Sequence, residues 1–474
     1  MRTPILVLLC LSIAACTSET PETPDLAEVA SQSAASTATS VTIRGNVFYN
    51  DRRNDGLFST RRTQTDQPGE RCSVAGQRDD GSACSSNLLG LYYGVVDVIE
   101  RDEGYFAPTA WDCKQEDLIK SVPIASDGSF TATFSHTDAC DSDSRPQVAI
   151  ALKVRLRYCG ADWGCFSVNT SVNDPYFVWY PGATSSAPLS VTSMQQVTLP
   201  DMVFKEPGSS NTTVNDTSKA VNYYASVVDT ILTIHRDGGV PFYKDEFGEI
   251  QYVYPSNNTE TATTKSATKV VIRGDWDPSW PDGHTPAHEY GHVLMLRAWD
   301  GDYGFVGVGH SCNDTEQCES QQIAFKEAWA QFTARAVFDA TEGCGRSGFD
   351  DNASKPLTGE LGMGTHFRRN VEKALCDWYD TRVDDDAALD GNGDHFNADD
   401  FYSMWVNLRH MYTRRADYGG DYENPGLYFC DWVDYYLDVR KSASAVGAAS
   451  HDNYVFQITN LIYNNNIACF RPAP

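Results

Sequence analysis

Thr285-Pro286-Ala287-His288-Glu289-Tyr290-Gly291-His292-Val293-Leu294-Met295-Leu296 is the stretch from which the rest of the chain is read. A hydroxyl residue followed by proline is a good helix start, and the segment predicts a helix over 286–297. On a helix, residues four apart lie one turn above each other on the same face. His288 and His292 can therefore aim both imidazoles at one metal ion. Glu289, next to the first histidine, is placed to reach a water on that ion rather than the ion itself. The pattern predicts Zn2+ held by His288 and His292, with Glu289 as general base. Gly291 leaves room for another element to come close.

A catalytic zinc needs a third protein ligand. The positions three and six residues after His292 are Met295 and Ala298, which excludes a third histidine at the metzincin spacing. Downstream, Ile323, Glu327, Ala330 and Ala334 fall on one helical stripe. Glu327 is the lone acid on it, and burying a carboxylate there is costly without a partner; a zinc ion is a sufficient one. Glu316 and Glu319 are reserve candidates in a polar loop.

The segment Phe325-Lys326-Glu327-Ala328-Trp329-Ala330-Gln331-Phe332 also resembles the third-ligand helix of the gluzincin group of zinc metallopeptidases. That resemblance covers about 50 residues of the chain. It implies a zincin-type domain, a metal set of His288, His292 and Glu327, and hydrolysis of protein or peptide substrates. The thermolysin-type Asn-Glu-x-x-Ser-Asp motif is absent and Glu327 lies 35 residues after His292, a longer spacing than in thermolysin, so subfamily and specificity stay open. A group that stabilises the oxyanion is expected among His366, His395, Tyr402 and His410, without a choice between them.

Working outward, residues 219–474 read as one mainly helical α+β metallopeptidase domain. Val221, Tyr224, Ala225, Val228, Ile231 and Leu232 form an apolar stripe. A strand is expected at Lys269 to Arg273, and further helices near 322–338, 366–379, 399–414, 429–440 and 452–465. Residues 205–218 read as a linker. Before it, 41–204 alternates like a succession of strands at Val41 to Tyr49, Leu91 to Ile99, Ser129 to Phe134, Val148 to Tyr158 and Gln196 to Phe204. This predicts an all-β sandwich. The stretches Gly45 to Phe58 and Ser126 to Phe130 resemble transthyretin-like bacterial surface domains. The expected fold is thus multidomain, with a transthyretin/Ig-like β-sandwich ahead of the metallopeptidase domain.

The first residues point to export. Arg2 precedes a short apolar run, Ile5 to Ile13, too short to span a bilayer. Ile13-Ala14-Ala15-Cys16 resembles a bacterial lipobox. The resemblance implies a signal peptide over 1–15, a lipid on Cys16 that anchors the chain to a membrane at the cell surface, and a tether over 16–40 rich in Ser, Thr, Ala and Pro. Setting Cys10 and Cys16 aside, 12 of the 14 cysteines remain, an even number suited to disulfides in an oxidising compartment. Cys159/Cys165 and Cys312/Cys318 are the best local pairs, with Cys72/Cys84 next.

Asp390, Asn392 and Asp394 begin like a calcium loop, but position six is His395 and position twelve Phe401. A Ca2+ site and an acidic solvated turn both fit. The formal net charge of −27 argues against nucleic acid as a partner. A competing reading is a surface binding protein or adhesin that uses the β region, with the zinc fold as a platform. The intact Glu289 argues against it.

Overall fold

The computed structural model describes residues 39–50, 88–91, 93–101, 117–136, 147–160, 164–171, 174–192, 195–204, 217–242, 247–256, 262–273, 284–301, 321–337, 368–379, 401–414, 429–442, 467 and 469. Side chains at some segment ends are excepted. The described residues form a mixed α and β structure with three sheets and six α-helices. Cys16, the calcium candidates Asp390, Asn392 and Asp394, the pairs Cys312/Cys318 and Cys72/Cys84, His366, His395, Glu316, Glu319 and the helix expected at 452–465 lie outside the described residues.

The first sheet is built on β1 (Thr39–Asn50). Its burial alternates strictly: Val41, Ile43, Val47 and Tyr49 point inward, as a half-buried strand requires. β1 pairs antiparallel with β5 (Ser129–His136) and β2 (Leu88–Gly90), and parallel with β12 (Gln196–Thr198) and β13 (Met202–Phe204). The strand expected over Gln196 to Phe204 is thus two strands. Pro200, which has no N–H to donate, lies in the gap between them. The second sheet runs β10 (Phe177–Trp179), β6 (Gln147–Arg155), β3 (Val95–Glu100), β4 (Asp117–Pro123), with β11 (Leu189–Thr192) also on β6. Here the strand expected over Leu91 to Ile99 begins only at Val95, after Tyr93, whose φ is 60°. Phe130 and Tyr180 meet edge to face between the two sheets, and the Tyr180 hydroxyl bonds Asn46 O at 2.9 Å and Pro200 O at 2.7 Å.

The third sheet positions the site. The strand expected over Val148 to Tyr158 leaves the second sheet at Leu156 and continues in the third as β7 (Arg157–Gly160). β7 forms a hairpin with β8 (Gly164–Ser171), closed by the Cys159–Cys165 disulfide. β9 (Asp174–Pro175) also pairs with β8. β8 then pairs parallel with β14 (Ile250–Ser256), β14 parallel with β16 (Lys269–Arg273), and β16 antiparallel with β15 (Ala262–Ser266). The six strands therefore come from both sides of the 205–218 segment in sequence.

Between β8 and β14 runs α1 (Thr217–Ile231), continued by a π-helical turn, Leu232–Asp237. The expected apolar stripe is buried, but so are Asn222, Ser226, Asp229 and Thr230. A helix enclosed on every side is packed between layers rather than laid on a surface. Next come α2 (His284–Ala298), α3 (Gln321–Val337), α4 (Arg368–Tyr379), α5 (Phe401–Arg414) and α6 (Phe429–Ser442). Indole N–H groups tie several of them: Trp299 to Leu408 O (3.1 Å), Trp405 to Leu294 O (3.4 Å) and Trp432 to Met404 O (3.4 Å). A second disulfide, Cys430–Cys469, holds α6 to the C-terminal segment. Among the described residues no helix is long and apolar enough to cross a membrane.

Candidate metal centre

α2 starts at His284, so Thr285 and Pro286 lie within its first turn. A proline is tolerated there because that N–H has no partner inside the helix anyway. His288 and His292 sit one turn apart with ring centroids 4.8 Å apart and planes at 87°.

The third member arrives because α3 packs against α2 at Gly291. A Cβ built on Gly291 would lie 2.6 Å from Ala330 Cα and 3.0 Å from Thr333 Cβ and Oγ1. Only a glycine permits this approach. It brings Glu327 over the two imidazoles: Glu327 Oε2 is 3.4 Å from His288 Nε2 and 3.4 Å from His292 Nε2. One ligand atom from each of the three residues lies within 4.8 Å of the others, so the group could hold a metal ion. A tetrahedral ion with bonds of about 2.0–2.1 Å has ligand–ligand edges of about 3.3–3.4 Å. The two measured edges match that spacing, and two imidazoles with one carboxylate form a donor set suited to zinc.

The protonation state also suits a cation. Burial pushes the His292 imidazole below its ordinary pKa, against the attraction of Glu327. Burial alone would raise the Glu327 carboxyl. The charge of His292, hydrogen bonds from both histidines and the charge of His288 outweigh it and hold the carboxyl well below the usual carboxylate range. An ionised Glu327 is the form that binds metal. Lys326 Nζ stands 3.3 Å from Glu327 Oε1, leaving Oε2 to face the histidines. His288 is the most open of the three side chains, at 18% against 6% for His292 and 10% for Glu327. The group is therefore approached from the side of α2 that carries His288.

Two neighbours were not evident from the sequence. Gln331 Oε1 is 3.2 Å from His288 Nδ1. With a metal bound, accepting the Nδ1–H would hold His288 in the tautomer whose Nε2 lone pair is the ligand. Gln331 is four residues beyond Glu327, one turn along the same face, and that spacing could have revealed it. Thr264, on β15, places its hydroxyl 2.6 Å from Glu289 Oε2 and 2.9 Å from Glu289 O. No local pattern pointed to it, since β15 reaches α2 only through the register of the third sheet.

Under the helix, the protein holds α2 in place with buried polar groups. His235 in the π-helical turn bonds Val240 O through Nδ1 (2.5 Å) and the Tyr290 hydroxyl through Nε2. Burial pushes its pKa down to about 3, with the charge of Arg297 adding to the effect. In the last turn of α2, the buried Arg297 donates to Phe242 O (2.6 Å), Ala267 O (3.0 Å) and Gly248 O (3.2 Å), and lies over the rings of Phe242 and Phe247. A cation at a helix C-terminus also meets the favourable end of the helix dipole.

Of the other candidates, Tyr402 is exposed, and His410 stacks on Tyr435 of α6 at a centroid distance of 6.2 Å. Models of known protein families give no match to this sequence, and neither do curated proteins.

Proposed function

We propose that this chain is a zinc-dependent peptidase of the gluzincin kind, with His288, His292 and Glu327 as metal ligands and Glu289 as general base. The observation that carries the reading is the convergence of two histidine nitrogens and one buried carboxylate oxygen at tetrahedral-edge spacing. A bound zinc ion supplies Lewis acidity, lowering the pKa of water and polarising a substrate carbonyl. Glu289 takes the proton of the attacking water and returns it to the leaving amine. Gln331 fixes the tautomer of His288, and Lys326 holds the far oxygen of Glu327.

The substrate is a protein or peptide. The first two sheets act as a transthyretin/Ig-like β-sandwich ahead of a zincin-type domain. The lipobox-like Ile13 to Cys16 run makes the chain an exported bacterial lipoprotein, membrane-anchored through Cys16, and the Cys159–Cys165 and Cys430–Cys469 disulfides suit that compartment.

The test is a cleavage profile on a mixed peptide library with zinc-loaded wild type and Glu289→Gln. Cleavage by the wild type, lost in a variant that keeps its zinc, is the expected result. Equal cleavage by both contradicts the mechanism.

A further inference from the structure

Glu289 is 5% exposed, so its carboxylate must find a donor or bear the cost of burial. That donor is Thr264. Its hydroxyl lies 2.6 Å from Oε2 and 2.9 Å from the Glu289 main-chain oxygen. A hydroxyl has one proton to give. The shorter contact, to a charged acceptor, takes it, because charge-assisted bonds are the stronger ones. Oε1 is then the oxygen left to exchange protons with water.

Thr264 sits in the middle of β15, and β15 is fixed by its register to β16: Thr263 opposite Val271 and Thr264 opposite Val270. Val270 is fully buried, and Lys269 to Val271 pair with Gln251 to Val253 of β14. The hydroxyl is therefore carried on a strand braced by the third sheet. The base on α2 is held from outside its own helix, by an element that supplies no metal ligand.

We infer that Thr264 is the positioning residue for Glu289, setting the rotamer of the general base whether or not metal is bound. The inference rests on the peptidase reading, and its test separates the two. In the full zinc-loaded chain, Thr264→Val keeps the shape and removes the hydroxyl, Thr264→Ala also removes the bulk, and Thr264→Ser restores the donor. Both Val and Ala variants should lose kcat by about tenfold, the scale of one charge-assisted hydrogen bond. KM should stay within about twofold and zinc affinity unchanged, with Ser recovering most of the rate. Crystals of the Val variant should show the Glu289 carboxylate displaced.

A Val variant that turns over like the Ser variant overturns the inference, as does an unmoved carboxylate. So does a loss of zinc in both Val and Ala variants, which would make Thr264 a structural prop. A zinc-loaded wild type that cleaves nothing is a different failure: it sinks the peptidase reading, and the carboxylate position in the variant crystals still decides what Thr264 does.

Discussion

Gly291→Ala adds one methyl group where α2 and α3 touch, and the structure gives its consequence in some detail. The new Cβ would sit 2.6 Å from Ala330 Cα, while carbon atoms pack at about 3.5–4.0 Å. The contact is with backbone, so no side chain can swing aside. α3 must retreat by roughly 1 Å at Ala330 to restore ordinary contact. Ala330 is three residues past Glu327, on the next turn of the same helix. A retreat of that size stretches the 3.4 Å edges from Glu327 Oε2 to the histidines beyond what bonds of about 2.0–2.1 Å can span without a rotamer change. Two stability terms oppose each other. Alanine favours the helix over glycine by about 1 kcal/mol, and overpacking costs about 1–3 kcal/mol. With a backbone clash the second wins, leaving a net loss of up to about 2 kcal/mol in the metal-free chain. The larger effect is on the metal, with zinc affinity falling at least about tenfold. Chelator competition measures that affinity, and melting curves with zinc or EDTA give the stabilisation zinc confers, which should shrink in the variant. A Gly291→Ala chain that binds zinc as tightly as wild type and melts higher refutes the close-approach argument.

Gln331→Ala should weaken zinc binding roughly 10–100-fold, the usual cost of losing a partner that orients a ligand. Glu327→Gln, which removes the ligand charge itself, should weaken it further, and a reversed order in chelator titrations would dissociate Glu327 from the metal. Arg297→Met strands the carbonyls of Phe242, Ala267 and Gly248 and should cost about 2–3 kcal/mol in urea unfolding; a cost within error of zero would mean that water replaces the guanidinium. The pKa of His235, near 3 in the folded chain, lies below its unfolded value of about 6.5. Stability from this group is complete above about pH 6.5 and falls as pH drops toward 3, because the unfolded chain takes a proton that the folded chain refuses. The slope is about 1.4 kcal/mol per pH unit at most. His235→Gln should flatten that part of the stability curve, and an unchanged curve would contradict the assignment.

What could be read from the sequence was what local spacing controls. The alternation from Val41 to Tyr49 appears as the alternating burial of β1. The helix expected near 399–414 appears as α5, with Phe401, Met404, Trp405, Leu408 and Met411 buried in it. The four-residue step from His288 to His292 put both imidazoles on one face. Glu327 also converges on them, although α3 is buried nearly all round, so the lone-acid stripe did not by itself distinguish a face. The features that escaped reading are non-local. The step of the chain between sheets at Leu156 and the parallel pairing of β8 with β14 depend on packing of segments some 80 residues apart. The Cys430–Cys469 bridge spans 39 residues, and nothing in cysteine spacing selects it. Thr264 reaches Glu289 only through the sheet. Gly291 was legible as a point of close approach, but which element approaches was not.

Anomalous scattering at the zinc edge, from crystals of the full chain grown with zinc, tests the central claim most directly. The account predicts one strong peak bounded by His288 Nε2, His292 Nε2 and Glu327 Oε2, at about 2.0–2.2 Å from each. A map with no peak there, or with zinc bound only elsewhere, would contradict it.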